Sequence, residues 1–129
     1  DNLTGLYTHR AFQERLRETE NLRYVVLNEM DAAGVVCGLL VRYLYADRPM
    51  IVLNRSEGIV KVSARGNRLL VFCGLDLSVA LKGAAEKVGG NGGGHSVASG
   101  ASIPLGSEEE FIAAVDGVVG RQLSEGRKR

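Results

Sequence analysis

The chain has 129 residues, 45% hydrophobic and 24% charged, with 16 Lys+Arg against 15 Asp+Glu for a net charge of +1. That size fits one domain with a core of its own, and the composition excludes disorder as the whole story. The balanced charge excludes a strongly basic nucleic-acid coat or an acidic tail.

In chain order, Thr8 to Glu20 predicts a polar helix, a helical lead-in over about residues 1–22, with Phe12 and Leu16 at i, i+4. Arg23 to Asn28 (RYVVLN) is a short apolar run and predicts a strand. Asp31 is placed to cap a helix running to about Tyr45, apolar almost all round and containing Gly34 and Gly38. Its apolar stretch, Ala32 to Val41, is roughly half of what a membrane span needs. Met50 to Asn54 and Ile59 to Ala64 read as two strands joined by the turn Ser56-Glu57-Gly58, a hairpin. Leu69 to Cys73 predicts a further short strand. Leu75-Asp76 opens a helix with Leu77, Leu81, Ala84 and Val88 on one face and Gly89 as terminator. A glycine-rich loop follows, then a strand at Ala98 to Pro104. Ser107 with Glu110 has the spacing of a capping box, beginning a helix with Phe111, Ile112, Val115, Val119 and Leu123 inward. The basic end Arg127-Lys128-Arg129 reads as a solvated tail. The order predicts an α/β (α+β) fold, a single mixed sheet of about five strands flanked by helices.

Cys37 and Cys73 lie in apolar surroundings without metal-ligand spacing, and only His9 and His95 add to them, so reduced core thiols in a cytoplasmic protein are expected. The five aspartates are scattered singly, unlike the converging ligands of a metal-dependent hydrolase. No GxSxG elbow is present. Because the first residue is Asp1, the chain reads as a piece of something longer.

The segment that carries chemistry is Gly89 to Gly100, GGNGGGHSVASG, where five of the six residues from Gly89 to Gly94 are glycine. A plain helix-to-strand turn needs one or two. The surplus points to close approach of backbone to a ligand, and bare N–H groups favour an anion. His95 follows directly. It reads either as a histidine satisfied by a core hydrogen bond or as a donor to phosphate at the rim of such a site. The spacing Gly89-x4-Gly94-His95-Ser96 resembles a P-loop, but the lysine is replaced by His95 and the loop follows a helix instead of a strand, which rejects a nucleoside triphosphatase. The second candidate is KVSARG, Lys61 to Gly66. Ser63 and Arg65 are two apart on a strand and share a face, giving a hydroxyl and a guanidinium fork for a phosphate or carboxylate. Taken alone, a polar, solvent-facing stripe on a half-buried strand is the better reading of them. Beside the glycine loop they become a clamp. Arg42, Arg48 and Arg55 would extend a basic track, and Glu108 to Glu110 suit the positive end of the last helix.

GGNGGGHSVASGASIP resembles the GGGH-x-x-A-x-G-A signature of the DHH-associated C-terminal domain (DHHA), which accompanies the catalytic DHH domain in RecJ-like exonucleases, oligoribonucleases and related phosphoesterases. KVSARG matches the Ser-x-Arg strand of the same domain, and GLDLSVAL ahead of the loop also fits. The match covers roughly Tyr24 to Leu123, with wording nearest to archaeal RecJ-like proteins. The resemblance implies a single DHH-associated substrate-binding domain over residues 1–129. The catalytic DHH domain, with its Mn2+, would lie in sequence outside this chain, as no Asp-His-His triplet occurs here. It also implies that Gly92, Gly93, Gly94 and His95 form the phosphate site, with His95 assisting the upstream metal centre, and that Ser63 and Arg65 clamp the substrate. Expected partners are single-stranded DNA or short oligonucleotides, the chain's own upstream DHH domain and a second copy in a homodimer, with no membrane. Two readings stand beside this one. One is a tRNA-binding module like the C-terminal domain of alanyl-tRNA synthetases. The other is an assembly module whose loop is only structural, with the helix Ala32 to Tyr45 as its interface.

Overall fold

The alternation in IVKVSAR puts Val60, Val62 and Ala64 on one buried face of a strand and Lys61, Ser63 and Arg65 on the other. The computed structural model describes residues 16–28 and 47–127. The predicted helix Asp31 to Tyr45, with Gly34, Gly38, Cys37 and Arg42, lies outside the described residues. So do Thr8 to Arg15 of the first predicted helix and the end of the basic tail.

Six strands form one mixed sheet. They are β1 (Arg17–Glu18), β2 (Arg23–Asn28), β3 (Met50–Ser56), β4 (Ile59–Arg65), β5 (Asn91–Gly94) and β6 (Ala98–Pro104), in the order β1-β2-β3-β4-β6-β5. β2 and β3 run parallel and every other pair is antiparallel. Met50, Ile51, Val52 and Leu53 are consecutively buried, the mark of a strand covered on both faces. The β3–β4 hairpin turns at Glu57 and Gly58, both with positive φ (50° and 80°), as a tight hairpin turn requires.

Among the described residues the helices are α1 (Arg68–Phe72), α2 (Leu77–Lys87) and α3 (Glu108–Arg127). The main core is sealed between α2 and α3 and one face of the sheet. It joins Ile51, Leu53, Val60, Val62 and Ile103 to Leu77, Leu81, Ala84, Phe111, Ile112, Val115 and Val119, with Leu123 packed at its margin. Asp76 caps α2 by accepting from the Ser78 amide at 3.1 Å. At the other end Gly89, φ 86°, allows its own amide to reach Glu86 O and that of Gly90 to reach Ala85 O, closing the helix as a Schellman motif. α3 docks through its polar side chains. Gln122 exchanges two hydrogen bonds with the Asp76 backbone, at 2.9 and 3.0 Å, and Asp116 accepts from Thr19 and from the Asn21 amide.

The mixed sheet flanked by helices is as expected, but three elements differ. Arg17–Glu18 is an edge strand paired with Tyr24 and Arg23, not the end of a helix. Glu18 pairs with Arg23 of β2 and with Arg48, which lies just ahead of β3. Leu69–Cys73 is not a strand: the Asn67 side chain accepts from the Leu70 amide at 2.8 Å and starts a short helix. Only Leu70 of that helix is buried, leaving Leu69 and Phe72 69% and 89% exposed. The glycine loop is itself a strand, β5. The capping box also differs. Ser107 Oγ donates to Pro104 O, and Glu108, not Glu110, reaches back to accept from the Gly106 amide. No helix among the described residues is long and apolar enough to cross a membrane.

Candidate functional site

The register assembles the two sequence motifs. Ser63 pairs with Gly100, and Gly100 with Gly93, so the three form one row across β4, β6 and β5. Arg65 pairs with Ala98, at the end of the sheet where the turn carrying His95 joins β5 to β6. Partners in a row share a face, so Ser63, Arg65 and Gly93 lie on the side away from α2 and α3, and His95, bonded to Ala98, continues the Arg65 row at the end of the sheet. At the neighbouring-strand spacing, Ser63 and Gly93 stand about 10 Å apart. Beside them on the same face, Val25, Met50 and Val52 are fully buried and form an apolar margin. The strip over β4, β6 and β5 is only partly covered.

Backbone bonds hold the turn in place. The Gly66 amide donates to Val97 O at 2.8 Å, that of Leu77 to Ser96 O at 3.0 Å, and that of His95 to Ala98 O at 2.8 Å. The strand end carrying Arg65 and the start of α2 are thus tied to the His95 turn. Ser99 Oγ, buried, donates to His95 O at 2.7 Å. Sequence reasoning missed Ser99; its signal was a hydroxyl four residues after the histidine, able to reach back within a turn. The His95 side chain is exposed. Arg65 Nη1 donates to the neighbouring Ala64 carbonyl at 2.9 Å, and Arg65 enters no ion pair among the described residues.

Among the described residues β5 is the last strand of the sheet, so one of its edges carries no further strand. His95 and Ala98 exchange both backbone bonds, at 2.8 and 3.3 Å. Antiparallel alternation from that pair directs the Gly92 and Gly94 amides away from β6, to the free edge. The edge amides with the His95 imidazole, and the Ser63 hydroxyl with the Arg65 guanidinium on the face, are two separate donor sets, each of the kind that holds an oxyanion.

The glycines are not all there for a ligand. A Cβ on Gly92 would stand 3.0 Å from Leu81 O and 3.0 Å from the Ala101 Cβ, so this glycine lets β5 lie against α2. Gly93 is different: a Cβ there would meet nothing within 4 Å. The surplus argued from composition therefore narrows to one position whose bareness internal packing does not explain.

The other expected basic residues do not join this site. Arg55 bonds to Glu108 at 3.4 Å, and Arg48 lies 3.5 Å from Glu18. Arg23 pairs with Asp47 and holds its carboxyl below the usual carboxylate range, while the two carboxylates around Arg23 raise its own pKa. Burial alone would raise Glu108, but the Gly106 amide and Arg55 outweigh it and keep the carboxyl below its ordinary value. Among the described residues, no three His, Cys, Asp or Glu side chains converge as a metal ion would require. Manganese does not fit the residues described here.

A family model described as the DHHA1 domain matches residues 21–121. The chain belongs to the DHHA1 domain family. It is 40% identical over 109 residues to the uncharacterized protein MJ0831 of Methanocaldococcus jannaschii, covering 84% of this chain and 24% of that protein's length. The fold is similar to the C-Ala domain of Aquifex aeolicus alanyl-tRNA synthetase (TM-score 0.63, 11% identity, 84% of this chain, 97% of that one). It is similar to the pGpG-specific phosphodiesterase PggH from Vibrio cholerae (TM-score 0.61, 14% identity, 88% and 38%). It is also similar to RecJ from Thermus thermophilus (TM-score 0.56, 22% identity, 76% and 15%).

Proposed function

We propose that this chain is the substrate-holding domain of a manganese-dependent phosphoesterase of the DHH family. In this reading the parent protein is a RecJ-like exonuclease or oligonucleotide phosphodiesterase acting on single-stranded DNA or short oligonucleotides in the cytoplasm, its DHH domain preceding this one. The observation that carries the reading is the single open face holding Gly93, Ser63, Arg65 and the His95 turn. The free amides of Gly92 and Gly94, with His95, contact the phosphate nearest the catalytic centre. Ser63 and Arg65 grip the next part of the nucleotide. The similarity to a phosphodiesterase and to RecJ supports this class. Metal and activated water belong to the DHH domain, and the residues described here supply binding and orientation. In the parent protein, His95→Ala or Arg65→Ala lowers turnover about 10²-fold with the fold intact by circular dichroism. Normal turnover in both variants overturns the reading.

A second reading is a tRNA-binding module. It is favoured by one observation: the fold covers nearly the whole of the synthetase C-Ala domain. Under it, tRNA binds tightly, short oligonucleotides do not compete, and His95→Ala changes nothing.

A further inference from the structure

Beyond Ser63, the next outward residue of β4 is Lys61. It pairs with Ser102 of β6, and Ser102 pairs with Asn91 of β5. On the other side Lys61 pairs with Asn54 of β3. A second polar row thus runs parallel to the Ser63–Gly100–Gly93 row on the same face, two residues or about 7 Å further along the strands. Lys61 and Asn91 are exposed. Between the rows and Arg65 the surface is small: Ala98, Gly100 and Gly93 leave the backbone as floor. The sequences of β3, β4, β5 and β6 contain no Asp or Glu. Of their three cations, Arg55 is taken up by Glu108, while Lys61 and Arg65 enter no ion pair among the described residues. One row further, Ile59 pairs with Pro104 and the polar strip ends.

We propose that Lys61, Ser102 and Asn91 form a second phosphate subsite, which extends the Arg65–Ser63 grip along an oligonucleotide and makes the domain prefer chains longer than a dinucleotide. The proposal rests on the phosphate-binding reading of the open face. Its chemistry is that of a solvated ammonium and two neutral donors facing an anion over a floor without side chains. Such contacts follow the backbone and not the base, so the subsite measures length without reading sequence. The strip from Arg65 to Lys61 spans about 14 Å, room for a short single strand and no more.

The test is binding of a thymidine dinucleotide and a thymidine hexanucleotide, both 3′-fluorescein labelled, to the full chain by anisotropy at several salt concentrations. Lys61→Ala is expected to leave dinucleotide affinity unchanged and to weaken the hexanucleotide about fivefold. Its salt slope falls by about 0.7, the loss of one phosphate contact on a single strand. Arg65→Ala weakens both probes. If Lys61→Ala affects both probes equally, or neither, the subsite is overturned while the Arg65 reading stands. If Arg65→Ala affects neither and Lys61→Ala still discriminates by length, the Arg65 grip is wrong and the subsite stands. No binding of either probe overturns both.

Discussion

Gly92 and Gly93 are neighbours of one residue type in one strand, yet they do different work. Gly92 is a packing glycine: a methyl there would press on Leu81 O and Ala101. Gly92→Ala should therefore destabilise the fold by about 1–3 kcal/mol, read as a shift in the urea midpoint. Gly93→Ala meets only open space, and losing a glycine from a strand favours folding slightly by restricting the unfolded chain. If the open face holds phosphate, the same methyl stands where the ligand approaches. Gly93→Ala is thus expected to keep or slightly raise stability while lowering oligonucleotide affinity. Equal stability with unchanged affinity would show that the bareness of Gly93 serves no ligand. At this scale the sequence marked the segment but could not divide it, because what each glycine excludes is set by α2 and β6.

The start of α3 shows how an element is tuned by a residue not singled out for that role. The sequence offered Glu110 as the capping partner of Ser107, whereas Glu108 is the residue that bonds back to Gly106 and reaches Arg55 on β3. The same pair closes the sheet against the helix. Because the folded state holds the Glu108 carboxyl below its ordinary value, the unfolded state binds that proton more readily. The resulting stability is fully present above the ordinary glutamate range and drains away as pH falls through it toward the lowered folded value. Glu108→Gln should cost about 1 kcal/mol at pH 7, and the difference should shrink steadily as the pH is lowered through and below the ordinary glutamate range, measured by urea titration across a pH series. A constant difference across pH would assign the loss to shape instead of charge. Other elements were legible because their signals are local. The β3–β4 hairpin carries its own turn, Asp76 caps α2, and IVKVSAR alternates. α1 was misread because LLVFC is apolar enough for a strand, while the competing signal was the single side chain of Asn67.

At the scale of the described molecule, the candidate site and the main core lie on opposite faces of β4. Val60, Val62 and Ala64 bind β4 to the helices, and the alternate residues Lys61, Ser63 and Arg65 are held outward by that same packing. Phe111 is fully buried at the centre of the core. Phe111→Ala is expected to cost about 3–5 kcal/mol, a large share of a domain's 5–15, in a single cooperative urea transition. A local loss confined to α3, with β-sheet signal retained, would contradict a shared core.

The sequence by itself determined the chemistry available. It carries a bare, histidine-ended glycine run, a Ser-x-Arg strand, and apolar faces at helical and strand periods, all set by neighbours a few residues apart. Only the tertiary structure decided where these meet. Glycine has little strand preference of its own, so Asn91–Gly94 became β5 only by pairing with β6. The insertion of β6 between β4 and β5 brought Gly93 level with Ser63, some thirty residues apart in the chain. Such pairings repay the loss of chain entropy through long-range hydrogen bonds and burial, which no local pattern of residues encodes.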